Sequence, residues 1–185
     1  MINYDLPESV ELEGKTYAIR SDFRAVLDIF TALSDPELND QARFYVVLNI
    51  FFEDFESIPV NAQEEALKAC FWFISGGRED AKGERGPKLM DWAQDFPLIV
   101  APVNRIIGYD IRGTKYMHWW TFLAAYNEIG DCTFSQVVRI RSLKSRGRLK
   151  DKSDIEWYKR NRELVDFPHT YTDAEKDLLK AWGGQ

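Results

Sequence analysis

The sequence predicts a mainly α-helical single domain of about seven to eight helices, preceded by a short β-hairpin. Apolar residues recur at three- and four-residue spacing along most of the chain, and glycine and proline separate the resulting segments. Of the 185 residues, 45% are hydrophobic and 14% aromatic. A chain of this length should bury roughly 70% of its unfolded surface, so we expect one folded core and not a disordered chain.

Residues 1–20 predict the hairpin. Apolar and polar residues alternate in Val10–Leu12 and again in Lys15–Ile19, and Glu13-Gly14 lies between them. Because glycine adopts positive φ at little cost, this pair is typical of a tight turn.

Residues 21–76 predict three helices. Ser21 is the expected cap of the first, and Asp35-Pro36 ends it because proline disfavours helix in the residue before it. Its expected core stripe is Phe23, Val26, Leu27, Phe30 and Leu33.

The second helix is expected from about Asn39 to Asp54, where the length of an apolar run favours helix over strand. Asn61 with Glu64 resembles a capping box and opens the third, which Gly76-Gly77 ends. Residues 77–88 are expected to form a flexible loop, because they contain no aliphatic residue larger than alanine.

Residues 89–145 predict the central aromatic helices. The first is expected to be capped by Asp95, with Pro97 in its first turn, and to end at Gly108. Pro102 should kink or split it. A second helix, apolar on most sides, is expected from about Thr114 to Ile129.

The last of these helices begins at Thr133 or Ser135. Arg141 and Lys144 fall on its apolar face, so the helix must leave the core or these cations must meet acids. Residues 146–185 then predict basic and C-terminal helices. Two capping boxes, at 153–156 and 172–175, begin them.

Side chains that could catalyse a reaction or bind a metal are few and widely separated. The histidines are His118, expected within the aromatic helix, and His169; the cysteines, Cys70 and Cys132, are expected to be reduced thiols. A metal site would need all four to converge without the usual close spacing of ligand pairs, and no phosphate-binding glycine pattern occurs. The sequence therefore predicts no enzyme activity, no cofactor and no metal.

The charges are distributed unevenly. Residues 1–95 carry 19 acids and 9 bases, whereas residues 96–185 carry 11 acids and 15 bases. This polarity suits head-to-tail association, or packing of the two halves on each other, at least as well as nucleic-acid binding.

Nucleic-acid binding is the alternative function, through the basic residues of 139–152 and the nearby aromatics. The basic residues are Arg139, Arg141, Lys144, Arg146, Arg148, Lys150 and Lys152. Adjacent Trp119 and Trp120 point about 100° apart on a helix, so at most one could join a flat stacking surface. The net charge of −6 also opposes binding to phosphates. Core packing of the tryptophans, and a cationic face that is solvated or meets an acidic protein, are the favoured interpretations.

Several short motifs resemble the phage gene-product-fifteen family of tail-operon proteins. They are Asp91-Trp92 with Asp95, Gly108-Tyr109-Asp110-Ile111, His118-Trp119-Trp120-Thr121-Phe122, and Thr133-Phe134-Ser135 leading to Ile140-Arg141. The resemblance runs from Leu6-Pro7 to the helix of Arg162. The sequence departs from the family at Pro97 and Pro102, where the family tends to carry an uninterrupted helix.

The resemblance implies a tail assembly chaperone that binds the tape-measure protein and helps recruit tail tube subunits. It places the protein in the cytoplasm of the bacterial host and outside the mature virion. Homo-oligomers are compatible with this role, and no membrane segment is expected, because no apolar run approaches the ~20 residues needed. Candidate partner-binding residues are Tyr116, Trp119, Trp120, Arg139, Arg141, Lys144, Arg146 and Arg148.

Overall fold

The computed structural model describes residues 5–78 and 86–168. Within these ranges it contains a two-stranded antiparallel sheet and eight α-helices, which confirms the predicted fold class. The bounds are β1 Ser9–Leu12, β2 Lys15–Ala18, α1 Phe23–Ser34, α2 Asp40–Phe51, α3 Gln63–Ile74, α4 Trp92–Ile107, α5 Trp119–Asn127, α6 Thr133–Ser145, α7 Lys152–Arg160 and α8 Arg162–Val165. Short 3-10 turns span Phe55–Ser57, Val60–Ala62 and Ile111–Gly113.

The chain forms two compact units, which divide between Gln136 and Val137 inside α6. Unit 1 contains the hairpin and α1–α5, and unit 2 contains the rest of α6 with α7 and α8. The single domain over 1–185 stays a prediction. Seven residues of the expected loop at 77–88, the capping box at 172–175 and His169 lie outside the described residues.

The predicted hairpin is confirmed, and its strands pair with Val10 opposite Tyr17 and Leu12 opposite Lys15. Its turn needs two residues at positive φ, which Glu13 at 49° and Gly14 at 77° supply. The strand residues that face the core are buried, and Ile19 continues the pairing by a bridge to Phe52 at the end of α2.

Helix α1 is capped by Asp22 and not by Ser21. The Asp22 carboxylate accepts the Arg24 backbone N–H at 2.9 Å, and Ser21 is buried with its hydroxyl 2.8 Å from the Tyr116 hydroxyl. The buried stripe is also rotated from the predicted one, because α1 packs against α2, α4 and α5. Its buried members are Phe23, Val26, Ile29 and Ala32.

The predicted capping box of α3 is wrong. Asn61 lies in the 3-10 turn before the helix, and its amide donates to the Glu13 carboxylate at 2.9 Å. The side chain therefore holds the hairpin against the turn and is not free to cap. The predicted end is confirmed, since Gly76 and Gly77 both have positive φ directly after the helix.

Helix α4 starts four residues earlier than predicted and is not split. Asp91 is its cap and accepts the Gln94 N–H at 3.0 Å, while the buried Asp95 accepts the Asp91 N–H at 2.9 Å. Pro97 and Pro102 both lie inside a single helical element. Each removes only one backbone donor, and packing of the buried Ile99 and Val103 face holds the helix together. Gly108 ends it with φ of 89°, as predicted.

Helix α5 spans Trp119–Asn127 and is shorter than the predicted helix from about Thr114 to Ile129, because the residues before it form a turn and a bridge to α1. Residues Ile111–Gly113 form a 3-10 turn, and an isolated bridge joins His118 to Asp22. In that bridge the Phe23 N–H donates to the Met117 carbonyl at 2.9 Å and the Trp119 N–H donates to the Ser21 carbonyl at 2.7 Å.

In unit 2, Asp151 caps α7 by accepting the backbone N–H groups of Ser153 and Asp154. The predicted cap at Ser153 is therefore wrong by two residues. The aspartate competes successfully because its carboxylate is a stronger acceptor at the positive end of a helix.

Candidate functional site

Trp119 and Trp120, the centre of the longest family-like motif, cap the end of α3. The Trp119 indole N–H donates to the Ile74 carbonyl at 2.9 Å, and the Trp120 indole N–H donates to the Phe73 carbonyl at 2.8 Å. The last carbonyls of a helix lack the usual intrahelical partners. Trp119 supplies a donor to the part-buried Ile74 carbonyl, and Trp120 adds a donor to the Phe73 carbonyl, which also accepts the Gly76 N–H at 3.1 Å. Trp119 is only 1% exposed, whereas Trp120 is half-buried.

Trp119 belongs to an aromatic core. Its ring stacks on Phe122 with centroids 5.5 Å apart, and Phe122 stacks on Phe23 at 4.8 Å. Trp92 of α4 meets the Trp119 ring edge-on at 6.1 Å. The candidate partner-binding role of Trp119 is therefore corrected: its indole packs inside and presents no surface to a partner.

Trp120 lies at the surface edge of this core, over the glycines that end α3. It meets Trp72 in a T-shaped pair with centroids 5.5 Å apart. A Cβ added to Gly77 would lie 2.9 Å from the Trp120 ring, and one added to Gly76 would lie 3.0 Å from Leu123. Glycine at these two positions therefore allows the left-handed backbone that ends α3 and also leaves room for the side chains of α5 to approach closely.

His118 is the N-cap of α5. The sequence analysis had placed it within the helix, so that prediction is wrong. Its Nδ1 accepts the Trp120 backbone N–H at 3.0 Å, and its Nε2 lies 3.0 Å from the Pro7 carbonyl. Because Nδ1 must be an acceptor here, the proton is on Nε2 and is donated to Pro7. The imidazole is buried and ties the N-terminal segment to α5.

An open apolar groove of about 470 Å³ lies where α4 and α5 meet the N-terminal segment. Leu6 and Ile106 are 47% and 40% exposed there. Its lining is Leu6, Ile106, Ile107, Trp120, Thr121, Ala124, Ala125 and Glu128. We call this set the α4/α5 groove. Sequence reasoning found only Trp120 among these residues. The apolar Ile106-Ile107 at the end of α4 was the available indication.

Tyr116 lies in a second and larger groove of about 810 Å³, between the hairpin and α1. Its side chain is 48% exposed, and its hydroxyl bonds to Ser21. Burial of part of the ring raises the pKa of Tyr116. Tyr116 and Trp120 thus line two different grooves of unit 1.

Three of the predicted cations of unit 2 have partners within it. Arg139 pairs with Asp154 across α6 and α7. Lys144 pairs with Asp166 and lies 4.8 Å from the centre of the Tyr158 ring. The sequence analysis expected either that the helix leaves the core or that these cations meet acids, and Lys144 meets the acid Asp166.

Arg141 is 4% exposed and meets carbonyls, which the sequence analysis did not anticipate. Its Nε donates to Val165 at 2.7 Å and one Nη donates to Leu164 at 2.8 Å. Its guanidinium also lies 4.2 Å from the centre of the Phe167 ring. Carbonyls at the end of α8 favour a cation and need donors. Arg141 is therefore corrected from a partner-binding to a structural residue.

Arg146 and Arg148 remain exposed, as do Lys150 and Lys152. Within the described part of the chain, these four side chains form no ion pair. We call them the cationic strip.

The remaining candidates for chemistry are dispersed. Among residues 5–78 and 86–168, no three His, Cys, Asp or Glu residues are grouped so as to hold a metal ion. Burial raises the pKa of the Cys70 thiol to about 12, so it is a protonated core residue at neutral pH. Every helix among the described residues is too short or too polar to cross a bilayer.

Comparisons with known proteins agree with the motifs. No curated protein and no solved structure shows significant similarity to the chain. The model of the family described as Bacteriophage Gp15 protein matches residues 2–167, which is most of the chain. The protein therefore belongs to the bacteriophage Gp15 family.

Proposed function

We propose that this phage protein is a tail assembly chaperone, which binds the tape-measure protein and helps recruit tail tube subunits by contact alone, without catalysis. It would act in the cytoplasm of the bacterial host and be absent from the mature virion. Membership of the Gp15 family supports a phage role. The α4/α5 groove supports binding of a protein.

The groove carries this proposal because its lining is almost entirely apolar and is open to solvent. Glu128 is the one charged residue among its eight lining residues. Exposed contiguous apolar surface of this kind marks interaction sites. An amphipathic helix can lay its apolar stripe into such a groove and bury side chains spaced by three and four residues.

A tape-measure protein offers that kind of helix. It is a long, largely helical chain whose apolar stripes would aggregate before tube subunits cover them. Binding at the groove would cover part of a stripe, and the indole of Trp120 gives the groove a rigid wall. That ring is fixed by its hydrogen bond to Phe73 and by its contact with Trp72.

Nucleic-acid binding is the second candidate, because the cationic strip is exposed and unpaired within the described residues. The aromatic half of that idea loses support. Trp119 is buried and offers no ring to a base.

Co-expression with the tape-measure protein of the same phage tests the proposal. We expect soluble tape-measure protein that co-purifies with this chain. Ala124→Arg places a long side chain in the groove from an exposed helical position and should abolish co-purification. Ala101→Arg is the matched control, because Ala101 is exposed on α4 outside the groove. Equal loss for both variants, or no co-purification of the unmodified protein, would contradict the proposal.

A further inference from the structure

The cationic strip is held in a defined geometry by both helices that flank it. Gly147 takes φ of 64° at the end of α6, and the Arg148 N–H donates to the Leu143 carbonyl at 2.8 Å. At the other end Asp151 caps α7. Arg146, Arg148 and Lys150 therefore project from a short connection that is anchored at both ends, and Lys152 follows as the first residue of α7.

The groove beside Tyr116 in unit 1 has the opposite charge. Four carboxylates line it, from Glu8, Asp22, Asp28 and Glu53, against the two guanidiniums of Arg20 and Arg24. We call it the acidic groove.

Both guanidiniums are held by groups of unit 1 itself. Arg20 donates to the carbonyls of Asn49 at 2.6 Å and Ile50 at 3.0 Å, at the end of α2. Arg24 pairs with the Asp22 carboxylate at 3.0 Å and donates to the Thr114 carbonyl. Arg20 also donates to the Glu53 backbone carbonyl at 3.3 Å, but among the described residues neither guanidinium forms an ion pair with the carboxylates of Asp28 or Glu53.

Glu8, Asp28 and Glu53 are all exposed, and since Glu8 interacts with the Tyr116 hydroxyl, Asp28 and Glu53 are the carboxylates most open to a partner. Within the described residues neither forms an ion pair. The apolar part of the lining includes Ala25 and Ile50. A surface of carboxylates over apolar side chains suits lysine and arginine, whose methylene stems pack on apolar groups while the charged ends meet acids.

We infer that the cationic strip of one molecule docks into the acidic groove of a second copy, so that the protein associates head to tail. The charges divide in the same way as the units: residues 1–136 carry 22 acids and 12 bases, and residues 137–185 carry 8 acids and 12 bases. A heterologous contact of this kind leaves one strip and one groove open at the ends, so it can add further copies. Such association requires no tape-measure protein.

Analytical ultracentrifugation of the purified full chain tests the inference. At low salt, about 20 mM, we expect concentration-dependent oligomers. At about 1 M salt, where the Debye length is about 3 Å, we expect monomers. The double reversal Arg148→Glu with Lys150→Glu should give monomers at low salt, and so should Asp28→Arg with Glu53→Arg. An equimolar mixture of the two double variants should form oligomers in which the variants alternate, because the reversed strip of one fits the reversed groove of the other and the unchanged strip fits the unchanged groove.

Lys159→Glu is the matched control, since Lys159 is an exposed cation of unit 2 outside the strip. It should leave the oligomers unchanged. Three results would overturn the inference: a monomeric unmodified protein at low salt, loss of oligomers in Lys159→Glu equal to that in the strip variant, or failure of the mixed variants to associate. Retention of single-stranded DNA by a monomeric protein would assign the strip to nucleic acid instead.

Discussion

The aromatic segment of unit 1 and the basic segment of unit 2 share one arrangement: of two nearby residues of the same type, one is buried and the other is accessible. The interactions that hold the buried residue differ between the two units. In each, one side chain is buried and donates to carbonyls at a helix end, as Trp119 does to Ile74 and Arg141 does to Leu164 and Val165. A residue of the same type nearby, Trp120 or Arg148, stays accessible. In unit 1, Trp119 is held by packing against other aromatic rings. In unit 2, Arg141 is held by charge-assisted hydrogen bonds and a cation–π contact.

This difference separates what is structural from what can meet a partner. Adjacent tryptophans or a run of cations in the sequence need not form one surface. The carbonyls at a helix end need hydrogen-bond donors, and a nearby Trp or Arg that supplies them becomes buried. The residues that keep exposed surface are the ones available to a partner. They are Trp120, whose indole N–H also caps α3 but whose ring lines the α4/α5 groove, and the cationic strip.

Trp119→Ala should have the largest effect, because it removes a fully buried indole and leaves the Ile74 carbonyl without its donor. We expect the free energy of unfolding to fall by about 3–5 kcal/mol. Denaturant titration followed by far-ultraviolet circular dichroism measures it. Trp119→Phe keeps a ring and should cost less. If Trp119→Ala were as stable as the unmodified protein, the structural role of the buried indole would be contradicted.

Arg141→Met should destabilise unit 2 by about 2–3 kcal/mol, because charge-assisted bonds to two carbonyls are lost. Amide hydrogen exchange in α7 and α8 should accelerate most. Arg148→Met removes a cation that is exposed and should change stability by less than about 0.5 kcal/mol. Similar effects for the two substitutions would mean that charge and not position decides their roles.

Gly77→Ala should cost about 1–2 kcal/mol more than Gly14→Ala. Both glycines have nearly the same positive φ, 78° and 77°, so the backbone strain is matched. Only Gly77 has a neighbour within contact distance, the Trp120 ring. The difference between the two free energies of unfolding therefore measures the packing of α5 on α3, and a difference of zero would contradict that contact.

Acid should weaken unit 2 through Asp166. Burial acts to raise the pKa of this carboxyl, but hydrogen bonds from Lys144, Arg162 and Tyr158 outweigh burial and hold the pKa below its usual range. Its contribution to stability is therefore complete above the unfolded value of about 3.9 and is lost as the pH falls through the lower folded value. Hydrogen exchange of α7 and α8 between pH 6 and about pH 2 should show this loss. Asp166→Asn should reduce the pH dependence, and an identical profile would refute the assignment.

Much of the fold follows from local sequence rules, but positions that depend on distant partners do not. The hairpin turn and the glycine ends of α3 and α4 need only backbone geometry, and their predictions are confirmed. Asn61 failed as a cap because Glu13, far away in sequence, takes its amide. Ser21 failed because Tyr116 takes its hydroxyl. Competing long-range hydrogen bonds cannot be seen in a local pattern.

The family-like motifs were informative about fold and misleading about the site for the same reason. Asp91 and Asp95 cap α4, Gly108 ends it, and His118 caps α5. These roles make the motifs recognisable. The exposed residues of the α4/α5 groove, such as Leu6 and Ile106, belong to no such pattern, because a surface side chain needs no fixed spacing to its neighbours.

Hydrogen–deuterium exchange on the complex with the tape-measure protein tests the central claim most directly. The proposed function predicts new protection in the last turn of α4 and along α5, the two helices that line the apolar groove, and none in Ala124→Arg. Protection confined to other surfaces, or the same protection in Ala124→Arg, would contradict it.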